Sequence, residues 1–127
     1  MSTAIAIQSL VDDHREIEAA LDGLAGGAAA ATIDVDAFRR AHGLCVRHYE
    51  REEAFLVWLG AGDVALAAKL RGQHEEALEL GVRLEEAIRA GEVAEGLYLL
   101  RRFLAIAQHN MIEEERDVFP WASRLGA

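Results

Sequence analysis

The 127-residue chain carries 22 Asp and Glu against 13 Lys and Arg, a formal net charge of −9, which argues against a nucleic-acid surface because phosphate would be repelled. One proline, 6% aromatic residues and an Ala-, Leu- and Glu-rich composition favour helix throughout one domain, residues 1–127, large enough for a proper core. The lone Cys45 excludes an internal disulfide, no basic region followed by a long apolar run opens the chain, and no apolar stretch reaches a membrane span, so a cytoplasmic protein with no membrane or nucleic-acid partner is expected.

Four amphipathic segments follow in order. The first spans about Thr3 to Leu24, with Ile7, Leu10, His14, Ile17, Leu21 and Leu24 on one stripe at alternating steps of three and four. Gly23 and Gly26-Gly27-Ala28 are expected to break it, and Thr32 or Asp34 to cap the next helix. The second, about Asp34 to Leu59, repeats the stripe with Phe38, Ala41, Cys45, His48, Glu52, Phe55 and Leu59 before Gly60-Ala61-Gly62. Asp63 caps the third, which carries Ala67, Leu70, His74, Ala77, Gly81, Leu84 and Ile88 and closes at Gly91.

The last helix, from about Glu92, bears Leu99, Phe103, Ile106, His109 and Glu113 and is expected to stop near Pro120. Its stripe is the least regular, because strict stepping from His109 meets Arg102 and Arg116. Short connections predict an all-α, up-down-up-down antiparallel four-helix bundle.

In that bundle the four seam histidines, His14, His48, His74 and His109, fall in one layer, roughly 16 Å from one end at about 1.5 Å per residue. Two of them head a His-x-x-x-Glu turn, His48 with Glu52 and His109 with Glu113, which aligns imidazole and carboxylate on one helix face. Six such groups in a core would be costly unless they bind a cation, and a nitrogen-and-oxygen set suits a transition metal rather than calcium or magnesium. His42 lies off the layer, as a surface or outer residue. Cys45 reads as a small core hydrophobe. Tyr49 points away from the ligands, Glu53, Glu114 and Glu115 read as solvated, with Glu53 or Glu114 able to support a ligand, and Trp58 and Trp121 plug one bundle end.

The order His, His-x-x-x-Glu, His, His-x-x-x-Glu, together with the ending Glu113-Glu114-Glu115-Arg116-Asp117-Val118-Phe119-Pro120, resembles the hemerythrin-like (HHE cation-binding) family. The resemblance implies two iron ions joined by an oxo or hydroxo bridge, held by His14, His48, Glu52, His74, His109 and Glu113, with both carboxylates bridging; zinc or manganese is the lesser alternative. Oxygen-carrying members have a further histidine where this chain has Leu78, and a last-helix carboxylate five residues after its histidine, which leaves Glu113 and Glu114 both available.

Two classes of function follow from the resemblance. One is a di-iron protein that decomposes peroxide or handles O₂; the other is a non-enzymatic module that binds O₂ or NO or senses iron. Leu78 weakens reversible O₂ carriage, because it leaves coordination open on both ions for a small diatomic or peroxide ligand.

Overall fold

The computed structural model describes residues 3–125, with side chains from residue 7 onward. Among these residues there are four long helices and no strand: α1 Thr3–Ala29, α2 Val35–Gly62, α3 Val64–Ala90 and α4 Val93–Glu113. A π-helical turn, Glu114–Val118, and a short helix, α5 Phe119–Arg124, extend α4 without a break. Helix α1 packs on α2 and α4, α2 on α3, and α3 on α4. Residues of α2 and α3 pair in reversed order, Arg39 with Glu85 and Glu53 with Arg71. Among the described residues, no helix is long and apolar enough to cross a membrane.

The caps form where polar side chains can serve free N–H groups. Asp34 accepts from the Ala37 N–H at 3.0 Å, and Asp63 accepts from Leu66 at 3.0 Å. Gly91 closes α3 in the left-handed region at φ 70°, where glycine avoids a Cβ clash. Helix α2 ends at Gly62, as the run Gly60-Ala61-Gly62 predicts, but the expected break of α1 at Gly23 does not occur. A helical glycine costs only about 1 kcal/mol, and the buried stripe Leu21, Leu24 and Ala28 carries α1 past it. That helix ends instead at Ala29, and in the turn that follows Ala31 takes φ 58° while the Thr32 N–H bonds back to the Gly27 carbonyl at 2.8 Å.

Pro120 does not stop the last helix either. The Phe119 N–H reaches back to the Glu114 carbonyl, five residues away. Proline, with no N–H to give, then sits in the first turn of α5, where none is needed. The wide turn also rotates the chain beyond it, so that Val118, Phe119 and Ala122 are all buried.

The apolar interior falls into two clusters. One contains Ile17, Leu21, Phe38, Leu84, Leu100 and Phe103. The other contains Leu10, Phe55, Leu56, Leu70 and Phe119, with Trp58 and Trp121 packed against it at that end of the bundle, as expected. On each long helix the residues that separate the clusters are polar: His14, His48 with Glu52, His74, and Asn110 followed by Glu114, all buried.

Candidate metal centre

Each polar residue reaches the interior because its neighbours on the same helical stripe are apolar. Leu10, His14 and Ile17 make the stripe on α1; His48, Glu52 and Phe55 on α2; Leu70, His74 and Ala77 on α3. These places agree with the sequence expectation for His14, His48, Glu52 and His74.

The structure does not bring His109 and Glu113 to the layer. The His109 side chain is 64% exposed, with its Nε2 3.2 Å from Glu113. Glu113 turns outward to Lys69 at 2.5 Å and to Gln73, whose Nε2 donates at 3.1 Å. The reason is helical arithmetic. At about 100° per residue, His109 stands roughly 120° round from Phe103, whereas Asn110 stands about 20° from it. The stripe that packs is Phe103, Ala107, Asn110 and Glu114. The charges met on stepping from His109, Arg102 and Arg116, were the signal available for this correction.

The inward atoms converge closely. His14 Nε2 lies 3.1 Å from His48 Nε2 and 3.2 Å from Glu114 Oε1, and His48 Nε2 lies 3.4 Å from Glu52 Oε1. Ligand atoms of His14, His48, Glu52 and Glu114 all fall within 4.8 Å of one another and could hold a metal ion. On the far side, His74 Nε2 is 2.8 Å from Glu52 Oε2 and 3.1 Å from Glu114 Oε2. The two carboxylates therefore turn one oxygen to the His14–His48 pair and the other to His74.

The outer ring nitrogens define what the inner ones are. His14 Nδ1 meets Glu115 at 2.8 Å and His48 Nδ1 meets Asp13 at 2.9 Å. A carboxylate only accepts, so each Nδ1 carries the proton and donates, and in the neutral ring Nε2 is a bare lone pair. Two lone pairs 3.1 Å apart repel unless a cation or proton stands between them. Arg15 pairs with Glu115, and Arg51 with Asp13 at 2.9 Å, so both supporting carboxylates are themselves anchored. An outer shell of this kind orients histidines at metal sites. Glu115, expected to be solvated, belongs to it.

Both oxygens of Glu52 and Oε1 of Glu114 are buried without an aligned hydrogen-bond donor, despite the nearby nitrogens. Oxygens that share a point with nitrogens, rather than their protons, fit a cation. Without one the layer is electrostatically tense. Burial raises the Glu114 carboxyl, and the charge of Glu52 raises it further. Burial would raise Glu52 too, but His48 and His74 outweigh that and hold it well below the carboxylate range. Burial would lower His74, yet Glu114 and Glu52 bring it up to about 9. His14 is likewise raised, burial being overcome chiefly by Glu114 and Glu115.

Around the layer, Tyr49 is buried and stacks on His74, with centroids 4.0 Å apart and planes 10° off parallel. Burial pushes the Cys45 thiol up to about 12, which makes it an inert core residue. A cleft of about 410 Å³ between α2 and α3 is lined by Val46, Tyr49, His74 and Leu78, with Glu53 and Arg71, paired at 2.8 Å, also on its wall. His42 lies outside the layer, half-buried and stacked on Phe38 against Gly81.

No curated protein and no solved structure matches the chain significantly. A family model described as the hemerythrin HHE cation-binding domain matches residues 5–122. With nearly the whole chain matched and a buried His/Glu cluster fit to hold a metal at its centre, this protein belongs to the hemerythrin HHE cation-binding family.

Proposed function

We propose that the chain is a non-haem di-iron protein that reacts with O₂ or peroxide, and that His14, His48, Glu52, His74 and Glu114 hold the ions. The observation that carries the reading is the pair of Nε2 atoms facing each other at 3.1 Å, flanked by two carboxylates that each divide their oxygens between two nitrogen positions. The reversed pairing of α2 and α3 supports an up-down-up-down antiparallel course, and the unpaired Cys45 supports a reducing, cytoplasmic setting.

When bound, two iron ions supply the one-electron steps that O₂ and peroxide require. The protein's part is positioning and exclusion. Asp13 and Glu115 keep the His48 and His14 protons on the outer nitrogens, which leaves the inner ones free to bind. Phe119 stacks on His14 at 5.8 Å and Tyr49 on His74, so aromatic faces keep bulk water from the imidazoles. The cleft at Leu78 gives a small molecule a route beside His74, with an aliphatic side chain where a further nitrogen would otherwise close the second position.

The test is anaerobic reconstitution with Fe²⁺, metal analysis, and an oxygen electrode after peroxide is added. Two irons per chain, near-ultraviolet absorption on oxidation and consumption of peroxide are expected. Tightly held zinc with no uptake of iron would sink the di-iron reading. A stable oxygenated spectrum, reversed by lowering O₂ and without peroxide loss, would make the protein a carrier.

A further inference from the structure

The layer contains one buried polar side chain that is neither imidazole nor carboxylate. Asn110 is fully buried on α4, facing the same interior as His14, His48 and His74. It is held as deliberately as the histidines are. Its Nδ2 donates to Gln73 Oε1 at 2.8 Å, Gln73 donates onward to Glu113 at 3.1 Å, and Glu113 pairs with Lys69 at 2.5 Å. Nδ2 also lies 3.4 Å from Glu114 Oε2, while Oδ1 is buried with no partner.

Three supported chains thus run from the surface to the layer: Arg15–Glu115–His14, Arg51–Asp13–His48 and Lys69–Glu113–Gln73–Asn110. The first two end in imidazoles that share one point with Glu52 Oε1 and Glu114 Oε1. The third ends in an amide whose Nδ2 lies 3.4 Å from Glu114 Oε2, the oxygen that also meets His74. An amide oxygen is a neutral, weaker donor to a transition metal than an imidazole nitrogen. The carboxylates divide evenly between the two sides, so the nitrogen count alone distinguishes them.

We propose that the centre has two unequal positions, a tight one between His14 and His48 and an exchangeable one between His74 and Asn110, and that Asn110 sets the difference. The inference rests on the two-ion reading above and deepens it. One ion stays with the protein, and the other loads and leaves with its concentration.

The experiment is an anaerobic titration of chelator-stripped protein with Co²⁺, followed by calorimetry and by visible absorption of the bound ion. Two steps are expected, the second weaker by at least about tenfold, the scale on which single contacts at a metal site alter affinity; a second step too weak to saturate is its limiting case. Asn110→His should tighten the second step at least about tenfold and bring the two together. Asn110→Asp, nearly isosteric, should move it in the same direction if the histidine does not fit. His74→Ala should delete the weak step and spare the tight one. Two equal steps in the unmodified chain would overturn the proposal while leaving the two-ion reading intact. So would a second step unchanged in both Asn110 variants, or loss of the tight step in His74→Ala. Failure of every form to bind Co²⁺ would bring down the metal centre itself.

Discussion

Replacing His109 should leave metal binding intact, whereas replacing His48 should abolish it, although both head a His-x-x-x-Glu turn. The His109 side chain is 64% exposed and its near neighbour Glu113 keeps Lys69 and Gln73. An exposed i,i+4 pair contributes about 0.3–0.5 kcal/mol. With an unfolding entropy of about 2.1 cal/mol/K per residue, a chain of this length shifts its Tm by roughly 4 °C per kcal/mol. His109→Ala should therefore move the Tm by about 2 °C or less. His48 is 2% exposed, and its Nε2 is central to the layer. An ion present at 100 times its Kd stabilises the folded state by about 2.7 kcal/mol, which is roughly a 10 °C rise in Tm on loading. His48→Ala should remove that rise. The assay is thermal melting of stripped and loaded protein with metal analysis of each. Loss of the loading shift in His109→Ala, or its survival in His48→Ala, would refute the placement of α4 and the site built on it.

Three further outcomes are expected. Leu78→His, which puts an imidazole into the cleft beside His74, should slow peroxide consumption and lengthen the life of an oxygenated spectrum in stopped-flow mixing with O₂. Gly81→Ala should destabilise the protein by about 1–3 kcal/mol despite the helix preference for alanine, because its Cβ would lie 2.5 Å from His42 Nε2 in a ring confined by Phe38 and Phe103; in a His42→Ala background, chemical denaturation should show the same change to be stabilising. In stripped protein His74 is raised to about 9 from an unfolded value near 6.5, so its stabilising charge is fully present below about pH 6.5 and lost as the pH rises through 9. Melting across that window should show a decline that loading with metal removes.

Most of the architecture was legible because it rests on repeated apolar spacing. The stripes through Leu10 and Ile17, Phe38 and Phe55, and Leu70 and Leu84 place His14, His48, Glu52 and His74 correctly. Errors arose where one local rule was outweighed by tertiary burial. Gly23 is a poor helix former, yet it costs less than the apolar contacts of Leu24 and Ala28 that continue the helix. Pro120 reads as a stop only if the turn before it is α-helical. On α4, two successive steps of three, from Phe103 through Ile106 to His109, match a motif but wind away from the core. The packed stripe runs instead to Asn110, an uncharged amide with no metal-binding signature of its own. The roles of Asp13 and Glu115 depend on contacts between helices, which spacing along one helix does not encode.

The polar layer between the two apolar clusters also bears on how the molecule comes apart. In stripped protein the least cohesive level is at mid-height, with tense imidazoles and carboxylates between Phe103 on one side and Phe55 on the other. Each cluster draws on α1, α2 and α3, so each can persist while backbone amides around the layer exchange with solvent. On the proposed ligand set, a bound ion would tie together side chains from the helices that meet at that level and make opening of one half depend on the other. Its effect is then on the size of the cooperative unit as well as on its free energy: two loosely coupled halves become a single foldon.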